Sequence, residues 1–138
     1  MNLDARTLEQ IRDHIATELH LVPLFNIAVL EATGEQASVG LGFGELTTRP
    51  EGSVVVGSVQ FALADVAIYA TKRGSATAMA DLTINFLRPA MTIPLVATAM
   101  QLRAGCRPFT AEVRIVEETT TRLVARATGT DALSGNPA

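Results

Sequence analysis

The sequence has no tryptophan, one tyrosine, one cysteine and aromatic residues at only 4%. So few rings leave no stacking platform for nucleic-acid bases. The lone cysteine, Cys106, excludes an internal disulfide framework and fits a reducing compartment. Basic residues are not in excess either: 11 Lys and Arg stand against 14 Asp and Glu, a net charge of -3, so the electrostatic footprint of a nucleic-acid binder is missing. Long uninterrupted apolar runs are also lacking. The most apolar stretch, residues 54–70, is broken by Gln60 and Asp65 and is too short for a membrane span. The first fifteen residues carry charges throughout, without the apolar centre of a secretory signal. These absences predict a soluble, cytoplasmic protein with neither nucleic-acid nor membrane partners.

What the chain does have is apolar bulk. Hydrophobic residues reach 48% against 18% charged, too apolar for disorder and rather apolar for a free monomer of 138 residues. A buried subunit interface follows as an expectation. The length predicts one domain over 1–138, able to bury a core without metals or disulfides.

Residues 7–21 place Leu8, Ile11, Ile15 and Leu19 at helical spacing with charges opposite, which predicts an amphipathic helix stopped by Pro23. Strand-like runs follow at 27–31 and 36–43, joined by a turn-like Ala-Thr-Gly-Glu. After a loop at 45–53, residues 57–73 favour a second helix, with Ser58 as its cap and Gly74 as its end. Val59, Phe61, Leu63, Val66 and Ile68 make this helix apolar nearly all round, and such a helix is buried. From Thr77 the period changes to two. Strands are predicted at 77–86, 95–102, 109–116 and 122–131, and a loose tail from Ser134. The order predicts an α+β domain: a long antiparallel sheet wrapped around a central buried helix, preceded by an N-terminal amphipathic helix.

Asp65 is out of place in that helix. It has Ala-Leu-Ala before it and Val-Ala-Ile after it, and burying an unpaired carboxylate is costly or shifts its pKa. A cap or a surface pair with Lys72 or Arg73 is the bland alternative. Helical spacing puts Ser58, Phe61, Ala62, Ile68, Tyr69 and Lys72 on the same face as Asp65. At the helix start, Gly57 and Ser58 present free backbone N–H groups at the positive end of the helix dipole. Such a group is a donor to a developing oxyanion, and a carboxylate with an oxyanion donor can transfer an acyl group to water. The two lie about two turns apart, so a two-fold dimer with one helix start facing the other subunit's Asp65 would unite them.

Other signals are bland by comparison. His14 and His20 lack the companions of a zinc site, and Cys106 has no histidine partner nearby. Ser58 lacks a G-x-S-x-G setting. The Gly-rich run at 40–45 leaves a strand without entering a helix, unlike a nucleotide loop. No metal or other cofactor is expected. Asp81 falls on the polar side of its strand and suits a structural hydrogen bond as well as catalysis.

The segments VVVGSVQFALADVAIYA and ADLTINFLRPA, with the closing ATGTDAL, resemble the PaaI-like acyl-CoA thioesterases of the hotdog superfamily over residues 52–133. The resemblance implies a hotdog fold and an acyl-CoA substrate. It implies that Asp65 is nucleophile or general base, and that the Gly57 N–H polarises the thioester carbonyl. It further implies a site built across a homodimer, often paired into a tetramer. Asn85 to Pro89, with Arg88, match a strand end near the pantetheine entrance. Arg103 and Arg107 correspond to a basic turn that can meet coenzyme A phosphates, though ordinary solvated charges would read the same way. The chain departs from the pattern at Val56, where the family usually has histidine, and at Met79, where it has Thr or Ser. Ser58 and Gln60 are the nearby polar side chains that could partly substitute. Three functions compete on these grounds: thioester hydrolysis, acyl-CoA binding without turnover, and enoyl-thioester hydration. The last wants an Asp–His pair that the sequence does not supply.

Overall fold

Thr7 opens the first helix, α1 (Leu8–Glu18), by a reciprocal cap. The Gln10 N–H donates to Thr7 Oγ1 at 3.2 Å, and the Thr7 N–H donates to Gln10 Oε1 at 3.0 Å. Residues 7–33, 36–42, 58–71, 77–90, 94–102 and 109–133 are described in the computed structural model. Ile11 and Ile15 form the buried stripe of α1, and Arg12 Nε ties it to the sheet by donating to Val29 O at 2.6 Å. Replacing the cap by Thr7→Ala is expected to cost about 1 kcal/mol, read as a lower urea midpoint. An unchanged midpoint would mean that the first turn frays in solution.

The expected stop at Pro23 needs correction. α1 ends at Glu18, where the Leu19 N–H closes on Ile15 O at 2.8 Å, and Pro23 instead lies inside a second, four-residue helix, α2 (Leu21–Leu24). Proline is tolerated there because first-turn N–H groups have no helical acceptor to lose. Asn26 then takes φ 56°, a left-handed value that Asn accepts more readily than most, and turns the chain into the sheet.

Six strands follow: β1 (Ile27–Ala32), β2 (Gln36–Leu41), β3 (Thr77–Phe86), β4 (Leu95–Gln101), β5 (Phe109–Glu117) and β6 (Leu123–Leu133). All pair antiparallel in one sheet of order β1-β2-β4-β5-β6-β3. Between β2 and β3 the third helix, α3 (Ser58–Thr71), crosses the concave face and packs chiefly on β2, β4 and β5. This is the expected α+β layout. Helix boundaries differ in detail: Ser58 is the first helical residue rather than the cap before it, and Gly74 lies outside the described residues.

The sheet carries several small side chains among its buried residues. Ala37, Ala97, Ala99, Ala111, Ala125 and Ala127 are all buried, and Ala37 and Ala99 pair directly across β2 and β4. Small residues let helix and sheet approach closely. Gly129 on β6 carries this furthest, since a Cβ there would meet Ile68 Cδ1 at 2.5 Å. A buried corner closes the other end of β5 and β6. Glu117, 1% exposed, accepts from Thr120 Oγ1 at 2.9 Å and from Arg122 Nε at 3.2 Å, and Arg122 also donates to Pro89 O at 3.2 Å.

β3 departs from the simple alternation expected of it. A bulge between Met79 and Asp81 shifts its register against β6, and Phe86, which alternation with Leu82 and Ile84 would turn inward, is 44% exposed. The strand lies at the sheet's edge, where α3 gives little cover, and its far side has no ladder partner among the described residues.

Candidate active site

α3 is nearly enclosed. Val59, Gln60, Ala62, Leu63, Ala64, Val66, Ala67, Ile68, Ala70 and Thr71 are all buried, as a helix without a polar face should be. Three described residues escape: Phe61, 43% exposed, and the half-buried Asp65 and Tyr69. They stand four residues apart, so they form one stripe along the helix. The sheet covers the rest and leaves this stripe open. Of the face expected around Asp65, then, Phe61 and Tyr69 share its opening, whereas Ala62 and Ile68 turn into the core.

Asp65 makes no hydrogen bond or ion pair among the described residues, and burial pushes its carboxyl above the ordinary carboxylate range. Its mid-helix position also removes the bland alternative of a capping role. A partly desolvated carboxylate of raised pKa, aimed out of a core element, is equipped to take a proton or attack a carbonyl.

The other expected site residues fall into three groups. Gly57, Val56, Arg103, Arg107 and Cys106 lie outside the described residues, as does the side chain of Ser58. The backbone at the helix start is described: Ser58, Val59 and Gln60 form the first turn, whose N–H groups lack helical acceptors. Met79 lies on β3 opposite Asp131, beside the bulge, and its side chain is outside the description.

The remaining residues are well placed in the fold. Asn85 pairs with Arg126 across β3 and β6, and both line a surface cavity of about 290 Å³ with Leu87, Ala127 and Thr128. Since Leu82 and Ile84 turn toward the core, Asn85 lies on the opposite, outer face of the sheet from the Asp65 of its own chain. Arg126 there forms an ion pair with Glu112. Arg88 is exposed just beyond β3, its N–H donating to Val124 O at 3.3 Å. Gln60 is fully buried, with neither Oε1 nor Nε2 hydrogen-bonded. Sequence reasoning treated it as a polar neighbour of the site and missed this enclosure. Asp81 is exposed on the outer face, and no cluster of three or more His, Cys, Asp or Glu occurs among the described residues. Nor is any described helix long and apolar enough to cross a membrane.

An antiparallel sheet around a buried helix with a stranded carboxylate defines a class. Residues 52–124, just over half of the chain, match the family model of the thioesterase superfamily, and the chain belongs to that superfamily. Among solved structures it is similar to thioesterase HI1161 from Haemophilus influenzae, at 20% identity and a TM-score of 0.79 over 93% of this chain and 90% of that one. The PaaI protein of the E. coli phenylacetic acid degradation operon matches at 22% identity and a TM-score of 0.73, over 90% and 95% of the two chains. Zebrafish thioesterase superfamily member 2 matches at 20% identity and 0.73, over 94% of this chain and all (100%) of that one. Curated protein sequences yield no significant match. The fold is thus the hotdog fold, and the expected kinship with hotdog thioesterases is borne out.

Proposed function

We propose that the chain hydrolyses acyl-coenzyme A thioesters to a carboxylic acid and free coenzyme A. Asp65 serves as nucleophile or general base, and the Gly57 N–H polarises the carbonyl. One observation carries this reading. Asp65 is a half-buried carboxylate without a partner among the described residues, on the face of α3 that the chain's own sheet leaves open. Nothing in the packing of a hotdog core calls for a charge there.

As general base, Asp65 takes a proton from water while the water oxygen bonds to the thioester carbon. The resulting oxyanion is held by N–H groups at a helix start. Collapse breaks the C–S bond, and the proton returns to the departing thiolate. As nucleophile, Asp65 first forms a mixed anhydride and expels the thiolate, and water then hydrolyses the anhydride. Either route needs the donor and the carboxylate within reach of one carbonyl. Ser58, which opens α3, and Asp65 of one chain are seven residues, about 10 Å, apart along the helix axis. A homodimer in which each α3 start faces the partner subunit's open stripe meets that need, and it also covers the exposed ring of Phe61. Pairing of two such dimers into a tetramer leaves this site unaltered. Ser58, Gln60 and Met79 line the acyl end in this scheme. Asn85, Arg88, Arg103 and Arg107 receive the coenzyme A arm, in a cytoplasmic setting.

The test is free-thiol release from a panel of acyl-CoAs, run beside sedimentation. Hydrolysis predicts release from at least one member and a species larger than a monomer. Binding of acyl-CoA without any release would favour the second reading, a non-catalytic acyl-CoA-binding protein. That reading draws on Val56 and Met79, which replace side chains able to orient water. A monomer would sink the cross-subunit site.

A further inference from the structure

Gln60 adds no side-chain hydrogen bond to the fold among the described residues. Its carboxamide is fully buried, yet neither the donor nor the acceptor is matched there. Helical spacing sets it on the side of α3 shared with Leu63, Ala64 and Ala67, each fully buried. The buried side chains of the strands that α3 packs on, among them Val39, Leu41, Leu95, Ala97 and Ile115, are aliphatic and have nothing to offer an amide. The backbone of those strands is already engaged in the ladder. A leucine or methionine would fill a similar volume without stranding two polar atoms. Packing alone therefore favours an apolar residue at this position.

Its place along the helix suggests what it is for. Gln60 is the third residue of α3, in the first turn, at the end where the thioester carbonyl is held in the proposed reaction. It follows Gly57 by three residues in the sequence. A carboxamide presents one acceptor and one donor side by side, and a hydroxyl answers both, donating to Oε1 and accepting from Nε2.

We infer that Gln60 is a specificity-determining residue that reads a hydroxyl on the acyl group close to the thioester, so that hydroxyacyl-CoAs are preferred over their plain counterparts. The inference rests on the acyl-CoA reading above. Because Gln60 is enclosed in the free chain, the acyl group reaches it by entering beneath the first turn of α3. Sites built to hydrogen-bond a substrate hydroxyl discriminate strongly against analogues lacking it, because the protein's polar groups are then left unpaired.

The experiment compares butanoyl-CoA with 3-hydroxybutanoyl-CoA in the full-length protein, wild type and Gln60→Leu, by thiol release and by calorimetric affinity. Wild type is expected to favour the hydroxylated substrate by at least about tenfold. In Gln60→Leu that ratio falls to about one or inverts, while the thermal midpoint rises. Gln60→Met serves if the leucine variant does not fold. No preference in the wild type overturns the inference, as does a preference unchanged by either variant. Lower stability in both variants with an unaltered ratio shows a structural residue and overturns it too. If neither compound releases thiol, the affinity ratio alone decides the role of Gln60, and release from the wider acyl-CoA panel decides the hydrolysis reading separately.

Discussion

Asp65→Asn is expected to reduce thiol release from acyl-CoA by roughly 10²–10⁴-fold, the usual contribution of a positioned general base. Asparagine keeps the shape of the side chain but can neither take a proton from water nor form an acyl anhydride. The same substitution has a second, opposite consequence. Burial raises the Asp65 carboxyl above its ordinary value of 3.8, and no described cation offsets this. A raised folded value means that the native state binds the proton more tightly than the unfolded chain. The associated stability is complete below 3.8 and is lost as pH rises through the folded value. At neutral pH the wild type therefore carries an ionised, partly desolvated group that Asp65→Asn lacks. Urea midpoints should be higher for the variant at pH 7, with the gap closing as the pH falls into the carboxylate range. Activity of the wild type should fail on the acid side at a pH above that of an ordinary aspartate, because the working form is the anion. A variant that is inactive yet more stable marks a residue kept for chemistry. One that is inactive and less stable at pH 7 would instead make Asp65 a structural charge.

The features legible in the sequence were those written in short-range pattern. Period-two alternation revealed five strands closely and a sixth, β3, in outline. The apolar character of residues 59–68 on nearly every side revealed a buried helix, and Asp65 stood out because its neighbours on both sides are aliphatic. That same uniformity hid the rest. A helix apolar all round gives its pattern no phase, so nothing local distinguishes the open stripe of Phe61, Asp65 and Tyr69 from the enclosed side bearing Gln60. Pro23 misled for a related reason. It reads as a stop wherever it occurs, yet in the first turn of α2 it is harmless. The edge position of β3 is set by pairing with β6, some fifty residues away, and the Met79–Asp81 bulge is a matter of register. Neither leaves a local trace.

Gly129→Ala is expected to destabilise the fold by about 1–3 kcal/mol, the usual cost of overpacking a core. The direction is informative, because glycine within a strand is ordinarily the weaker choice and alanine would gain roughly 0.5–1 kcal/mol in open space. Here the added methyl would stand 2.5 Å from Ile68 Cδ1, 3.1 Å from Leu82 Cδ1 and 3.3 Å from Asp81 O. The first of these contacts is closer than carbon atoms tolerate. It comes from the helix that bears Asp65, so relief by moving α3 would shift the carboxylate as well. The closing Ala-Thr-Gly-Thr pattern thus has a physical cause: residue 129 is where the helix rests on the last strand. Ile68 also offers the control. Ile68→Val deletes Cδ1 and by itself costs about 0.5–1.5 kcal/mol. Combined with Gly129→Ala, it should cost less than the sum of the two single changes, since the clash disappears with the methyl. Urea unfolding of the four proteins in this cycle measures the coupling. A Gly129→Ala variant at least as stable as wild type would show that Ile68 swings aside freely, and that the helix does not depend on this contact for its seat.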